Sequence, residues 1–140
     1  MREIKFRGKR VDAKEWNYGD LIHGDKKFYI KPICNNPFRR GRYTGLIELG
    51  EVIPETVGQY TGIKDEDEKE VFEGDILKDD NGKIYQIVWG CDFSWIARTN
   101  ETYCNCYSLR VAEKSKITGN VHDNPELDLL NKRKLGLKNV

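Results

Sequence analysis

Apolar and polar residues alternate in short runs along most of the chain, and Gly, Asp and Asn clusters separate the runs. That pattern predicts antiparallel strands joined by tight turns. "IKFRG", "NYGDLI" and "FYIKPI" read as three strands, with turns at Asp12-Ala13 and "HGDKK". Further on, "LIELGEVI", "ETVGQY", "VFEGDIL", "IYQIVWG" and "CDFSWIAR" read the same way. Asn81-Gly82 within "KDDNGK" is a hairpin signal, and a second hairpin is expected to bend at Gly90. "TYCNCYSLRV" alternates over its whole length, which predicts one continuous strand. No apolar residue stands between Lys64 and Glu70, so that run is a charged turn. "CNNPFRRGRYT", residues 34–44, has no periodicity and reads as an exposed loop. Near the end, Asp123 or Asn124 is placed to cap a short helix over about residues 125–132. Pro125 suits its first position, and Leu127, Leu129 and Leu130 its buried face.

The expected fold is mostly β. A small SH3-like barrel fills the C-terminal two thirds, residues 46–140, with the short helix at its end. Residues 1–45 form an N-terminal β-meander that ends in a flexible loop. About 45 residues are too few for independent stability, so the meander is expected to pack on the barrel or on another subunit, and a homo-oligomer is expected. A small barrel needs bulky core residues, and Trp89 in "IVWG" is expected to be one of them. Two stretches, "EWNYGDLIHGDKKFYI" and "EVFEGDILKDDNGKIYQIVW", share an aromatic residue before Gly-Asp and two aliphatics after it. In the second, Gly74 supplies backbone freedom and Asp75 an acceptor for neighbouring amides. Gly-Asp is therefore read as turn chemistry.

Charged residues make up 34% of the chain, mean hydropathy is −0.72, and no apolar run is long enough to span a membrane. The N-terminus has no apolar leader core, which predicts a cytoplasmic location. The net charge of +1 hides an uneven spread: residues 26–43 carry six basic residues and no acid, and residues 64–80 carry nine acids. These segments are expected to neutralise one another within the fold or across a self-association contact. Cys34, Cys91, Cys104 and Cys106 lack the paired spacing of a zinc site. Reduced, partly buried thiols are expected, with no metal and no cofactor.

"MREIKFRGKRVDAKEWNYGDLI", "VIPETVGQYTGIKDEDEKEVFEGDIL" and "GNVHDNPELDLL" resemble the YopX-like proteins of phages and prophages of low-GC Gram-positive bacteria. The resemblance spans nearly the whole chain and is weakest at residues 28–48 and after 130. Asp128 interrupts the leucine run, and residues 34–44 match no family motif. The resemblance implies a phage or prophage protein with an SH3-type C-terminal barrel, and it carries over no catalytic residues.

Two functions stay open. The first is a non-enzymatic protein-interaction module, with Trp16, Tyr60, Trp95 and Tyr107 as candidate partner-binding residues and a partner that includes a second copy. The alternative is nucleic-acid binding by Lys31, Phe38, Arg39, Arg40, Arg42 and Tyr43, where cations interleave with aromatic rings. The pI of about 7.6 weighs against the alternative. An enzyme would have to rely on His23 in a turn or on His122 beside Asp123. No G-x-S-x-G, phosphate-binding or dinucleotide-binding motif accompanies either.

Overall fold

A computed structural model describes residues 2–32, 49–90, 92–100 and 106–129. The chain divides into two units, Met1–Tyr60 and Thr61–Val140. The break falls later than residue 45 because β4 and the start of β5 pair back into the first unit.

In the first unit, β1 (Phe6–Lys9), β2 (Trp16–His23) and β3 (Phe28–Pro32) form the antiparallel meander that the alternation predicts, and β4 (Gly50–Val52), expected in the barrel, pairs with β3 instead. The start of β5 (Gly58–Lys64) pairs with β1 through Phe6–Gln59 and Arg7–Gly58. Ile30 and Val52 are fully buried on one face of this sheet. A 3-10 turn at Pro54–Thr56 places the Thr56 hydroxyl to accept the Lys9 N–H at 2.9 Å. Gly19 lies in the middle of β2, where a Cβ would stand 2.0 Å from the Lys31 carbonyl oxygen. Only glycine lets β2 and β3 approach so closely.

In the second unit, β6 (Glu70–Phe72) neighbours β5, and the Thr61 hydroxyl donates to the Val71 carbonyl at 2.8 Å. A five-stranded antiparallel sheet follows in the order β10 (Cys106–Ser108), β9 (Trp95–Arg98), β8 (Ile84–Trp89), β7 (Asp75–Asp79), β11 (Ser115–Asn120). Its core is Val71, Leu77, Tyr85, Ile87, Ala97 and Ala112, all buried. Full burial of an aliphatic side chain of this size contributes about 1.5–3 kcal/mol.

The described strands do not close into the expected SH3-like barrel, because β10 and β11 are the unjoined ends of an open sheet. The charged turn after β5 takes the place of a closing strand along β11. The Glu66 N–H donates to the Ser115 carbonyl at 2.9 Å, and the Ile117 N–H donates to the Asp65 carboxylate at 3.0 Å. The strand expected through "TYCNCYSLRV" also ends early. Ser108 accepts the Arg110 N–H with its hydroxyl, and Leu109–Lys114 become a 3-10 helix. This brings Leu109, Val111 and Ala112 onto the core. The range expected to be helical, 125–132, holds a 3-10 turn at Pro125–Leu127, extended backbone at Asp128 and helical backbone at Leu129; residues 130–132 lie outside the described residues.

The two Gly-Asp pairs do different work. Gly74 sits at φ +90°, and the Asp75 carboxylate accepts the Phe72 N–H at 2.8 Å, which is the expected turn chemistry. Gly19-Asp20 lies inside a strand instead, and Asp20 is exposed.

Candidate functional site

Three hairpin turns of the second unit share one geometry. They cover Asp65–Lys69, Asp79–Lys83 and Gly90–Ser94. In each, the N–H of the first residue donates to the carbonyl of the fifth, at 2.8, 3.0 and 2.8 Å. The N–H of the fourth residue donates to the carbonyl of the first, at 3.1, 3.0 and 3.2 Å. The fourth residue then sits in the left-handed region: Glu68 at φ 63°, Gly82 at φ 82° and Phe93 at φ 57°.

The first two turns are pinned by an aspartate. Asp65 accepts the N–H groups of Asp67 and Lys69, and Asp79 those of Asn81 and Lys83, all at 2.9 Å. Asp79 also accepts the Tyr85 hydroxyl at 3.1 Å. The Lys83 N–H leads the causes that hold the Asp79 carboxyl below its usual value. Burial, followed by the Asp79 carboxylate, pushes the Tyr85 phenol up. The third turn starts with Gly90 and has no such carboxylate.

What the third turn carries instead is aromatic surface. Phe93 is 83% exposed. Left-handed backbone suits Gly, Asn or Asp, and for a bulky side chain it is an outlier. Strain of this kind costs about 1–3 kcal/mol and gathers at functional positions. On the flanking strands Trp89 stands opposite Trp95, their rings edge to face with centroids 4.7 Å apart and planes at 75°. The pair continues the core-facing row of Ile87 and Ala97, but Trp89 is 51% exposed. Trp89 is thus not the core residue expected from "IVWG". Along this row burial falls from Ile87 and Ala97, both fully buried, to half-buried Trp95 and exposed Trp89.

The other sequence candidates have different settings. Tyr60 is 6% exposed, so it is packed away rather than offered to a partner; its N–H donates to the Lys5 carbonyl, and the Lys5 ammonium lies 5.7 Å from its ring. Trp16 is half-buried, with the Arg7 guanidinium 4.6 Å and the Lys9 ammonium 5.6 Å from its ring centre. Tyr107 packs partly buried against the core, under the Lys83 ammonium at 4.0 Å. Trp95 is half-buried too, and alone of the four it stands at the β8–β9 hairpin, against exposed Trp89. Lys31 is exposed on β3, while Phe38, Arg39, Arg40, Arg42 and Tyr43 lie outside the described residues. His23 stacks on Phe28 at 4.5 Å. The turn holding His122 is organised by Asn120, whose side-chain oxygen accepts the N–H groups of His122 and Asp123 and whose amide donates to Asp123. Cys106 is exposed, not partly buried, and the other three cysteines lie outside the described residues.

Phe93 went unnoticed in the sequence, although a signal exists. "WGCDFSW" places two tryptophans symmetrically about a five-residue turn whose fourth position demands positive φ.

A model of the YopX protein family matches residues 5–128. The chain belongs to the YopX family. The match takes in both units and the aromatic turn. Among solved structures, the chain is similar to the crystal structure of protein EF1440 from Enterococcus faecalis. Identity is 22%, the likeness covers 91% of this chain and 99% of that one, and the TM-score is 0.54. That likeness speaks to the fold. The comparison with curated proteins found no match. Among the described residues no helix is long and apolar enough to cross a membrane.

Proposed function

We propose that this YopX-family chain is a non-enzymatic protein-interaction module that docks through the tip of the β8–β9 hairpin, acting in the cytoplasm of a phage- or prophage-bearing cell. The observation that carries the reading is Phe93, held in left-handed backbone with 83% of its surface in solvent. Aromatic residues are enriched at binding hot spots, and Trp above all. Trp89 and Trp95 flank Phe93 on two paired strands, so the three rings stand on a rigid support rather than on a wandering loop. The partner is a protein, with a second copy of the chain among the options.

A photo-crosslinking phenylalanine analogue at position 93, introduced in the native host, tests this. The expected result is a discrete protein adduct that disappears when Trp89 is also replaced by Ala. An irradiated sample that runs only as unmodified chain would overturn the reading. The alternative, nucleic-acid binding, rests on exposed Lys31 and the basic sequence that follows it; a nuclease-sensitive adduct would favour it.

A further inference from the structure

We infer that Asn81 is a site of spontaneous deamidation, and that the hydrogen bonds of the β7–β8 turn set its rate.

The sequence supplies the reacting groups. Asn81-Gly82 is the one place in the chain where Asn precedes Gly. The Gly82 backbone nitrogen gives its proton to a solvent base and attacks the carbonyl carbon of the Asn81 side chain. A C–N bond forms, ammonia leaves, and a cyclic succinimide remains. Water then opens the ring at either carbonyl. One product is aspartate; the other is isoaspartate, whose main chain runs through the former side-chain carbon. Glycine favours the attack, because it has no Cβ to crowd the nitrogen.

The structure leaves these groups open to base and water. Asp80, Asn81 and Gly82 are all exposed. A Cβ placed on Gly82 would meet nothing nearer than the Lys78 Cε, at 3.9 Å.

What restrains the reaction is the bonding of the turn. The Gly82 N–H, whose proton must be lost, donates to the Asp79 carbonyl at 3.0 Å. The Asn81 and Lys83 N–H groups donate to the Asp79 carboxylate, both at 2.9 Å. The reacting peptide unit is thus bonded itself and pinned on either side. Carrying its nitrogen onto the side-chain carbon turns the unit and breaks the Gly82–Asp79 bond. Exposed turns held by few hydrogen bonds open locally far more often than the core strands around them. The rate therefore follows the opening of this turn rather than unfolding of the sheet.

The products fit the turn poorly. Isoaspartate adds a backbone carbon to a loop closed by two bonds, from the Asp79 N–H to the Lys83 carbonyl and from the Gly82 N–H to the Asp79 carbonyl. Aspartate keeps the loop length but sets a third carboxylate after Asp79 and Asp80. Its one added negative charge takes the net charge from +1 to zero.

The test incubates the full chain in mildly alkaline buffer. Residue 81 is followed by peptide mass spectrometry and an isoaspartate assay, with the same chain in guanidinium chloride as the open reference. Conversion is expected at Asn81 ahead of every other asparagine and faster as pH rises. It should run at least tenfold faster in denaturant than in the native state. Asp79→Ala should speed the native rate several-fold, and Asp79→Asn, which keeps one acceptor oxygen, should fall between. Asp65→Ala loosens the other aspartate-pinned turn and spares the Asp79 bonds, so its rate should stay near that of wild type. No conversion at residue 81 in denaturant would overturn the site. Equal native and denatured rates, or unchanged rates in both Asp79 variants, would overturn restraint by the turn. Equal acceleration by Asp79→Ala and Asp65→Ala would overturn it too, because unfolding of the whole sheet would then govern the rate.

Discussion

The carboxylate of Asp65 accepts the backbone N–H of Ile117, 52 residues further along the chain, at 3.0 Å. Its other oxygen accepts the N–H groups of Asp67 and Lys69. One side chain, 3% exposed, therefore shapes the charged turn and fastens it to the edge of β11. Replacing Asp65 by Ala leaves three donors without this acceptor. The expected cost is about 2–3 kcal/mol in a denaturant titration, given the worth of hydrogen bonds to charged groups. Asp65→Asn should fall in between, since its amide offers one acceptor oxygen. A loss below about 0.5 kcal/mol for the Ala variant would show that the turn holds its place without the carboxylate.

Glu68 is exposed and occupies the left-handed position of the same turn at φ 63°. Glycine meets no Cβ penalty there. Glu68→Gly should raise stability by about 0.5–1 kcal/mol, seen as a higher melting midpoint. An unchanged or lower midpoint would mean that the Glu68 side chain contributes something glycine cannot.

The Asp79–Tyr85 contact makes stability depend on pH at both ends. The Asp79 carboxyl lies below its ordinary 3.8, held first by the Lys83 N–H and further by the Tyr85 hydroxyl and the Asn81 N–H. A depressed carboxyl contributes stability that is present above its unfolded value and lost as pH falls through the folded one. Asp79→Asn should therefore be least stable relative to wild type near neutrality, with the two curves converging in acid. The Tyr85 phenol lies above its ordinary 10.0, raised first by burial and then by Asp79. Its contribution is present below that ordinary value and lost as pH rises past it. Tyr85→Phe should remove this alkaline loss, a difference that pH-resolved melting curves can read.

Trp89→Ala should cost about 1 kcal/mol, the scale of an edge-to-face aromatic pair. A fully buried tryptophan would cost about 3–5 kcal/mol on the same change. Equilibrium unfolding separates the two, and the larger value would mean that the ring is covered in solution.

The strands were legible because their signals are local. Alternation in "IKFRG" and Asn81-Gly82 in "KDDNGK" act over a few residues, and β1 and the β7–β8 hairpin follow from them. The open sheet was not legible, since the contact along β11 comes from Asp65, 52 residues earlier in the chain, and no local signal marks it. "TYCNCYSLRV" misled because Ser108 offers its hydroxyl to the Arg110 N–H and starts a 3-10 helix inside an alternating run. Trp89 misled because 85–88 are buried on both faces, and nothing in the composition marks where the cover stops. Tyr60 and Trp95 look alike as isolated aromatics. Only register shows that one is enclosed and the other stands at a hairpin tip.

The shared turn geometry also sets an order of events during folding. Each five-residue turn closes a very short loop, and hairpins of this kind form within microseconds. The Asp65–Ile117 bond has to wait for a far longer loop to close, and such closures slow folding. The hairpins are thus expected to assemble first, with β11 and its acidic clasp arriving last. Until then one flank of the sheet presents unpaired backbone groups to any neighbouring chain. A freshly synthesised molecule is most prone to clump in that interval, and variants that weaken the clasp lengthen it.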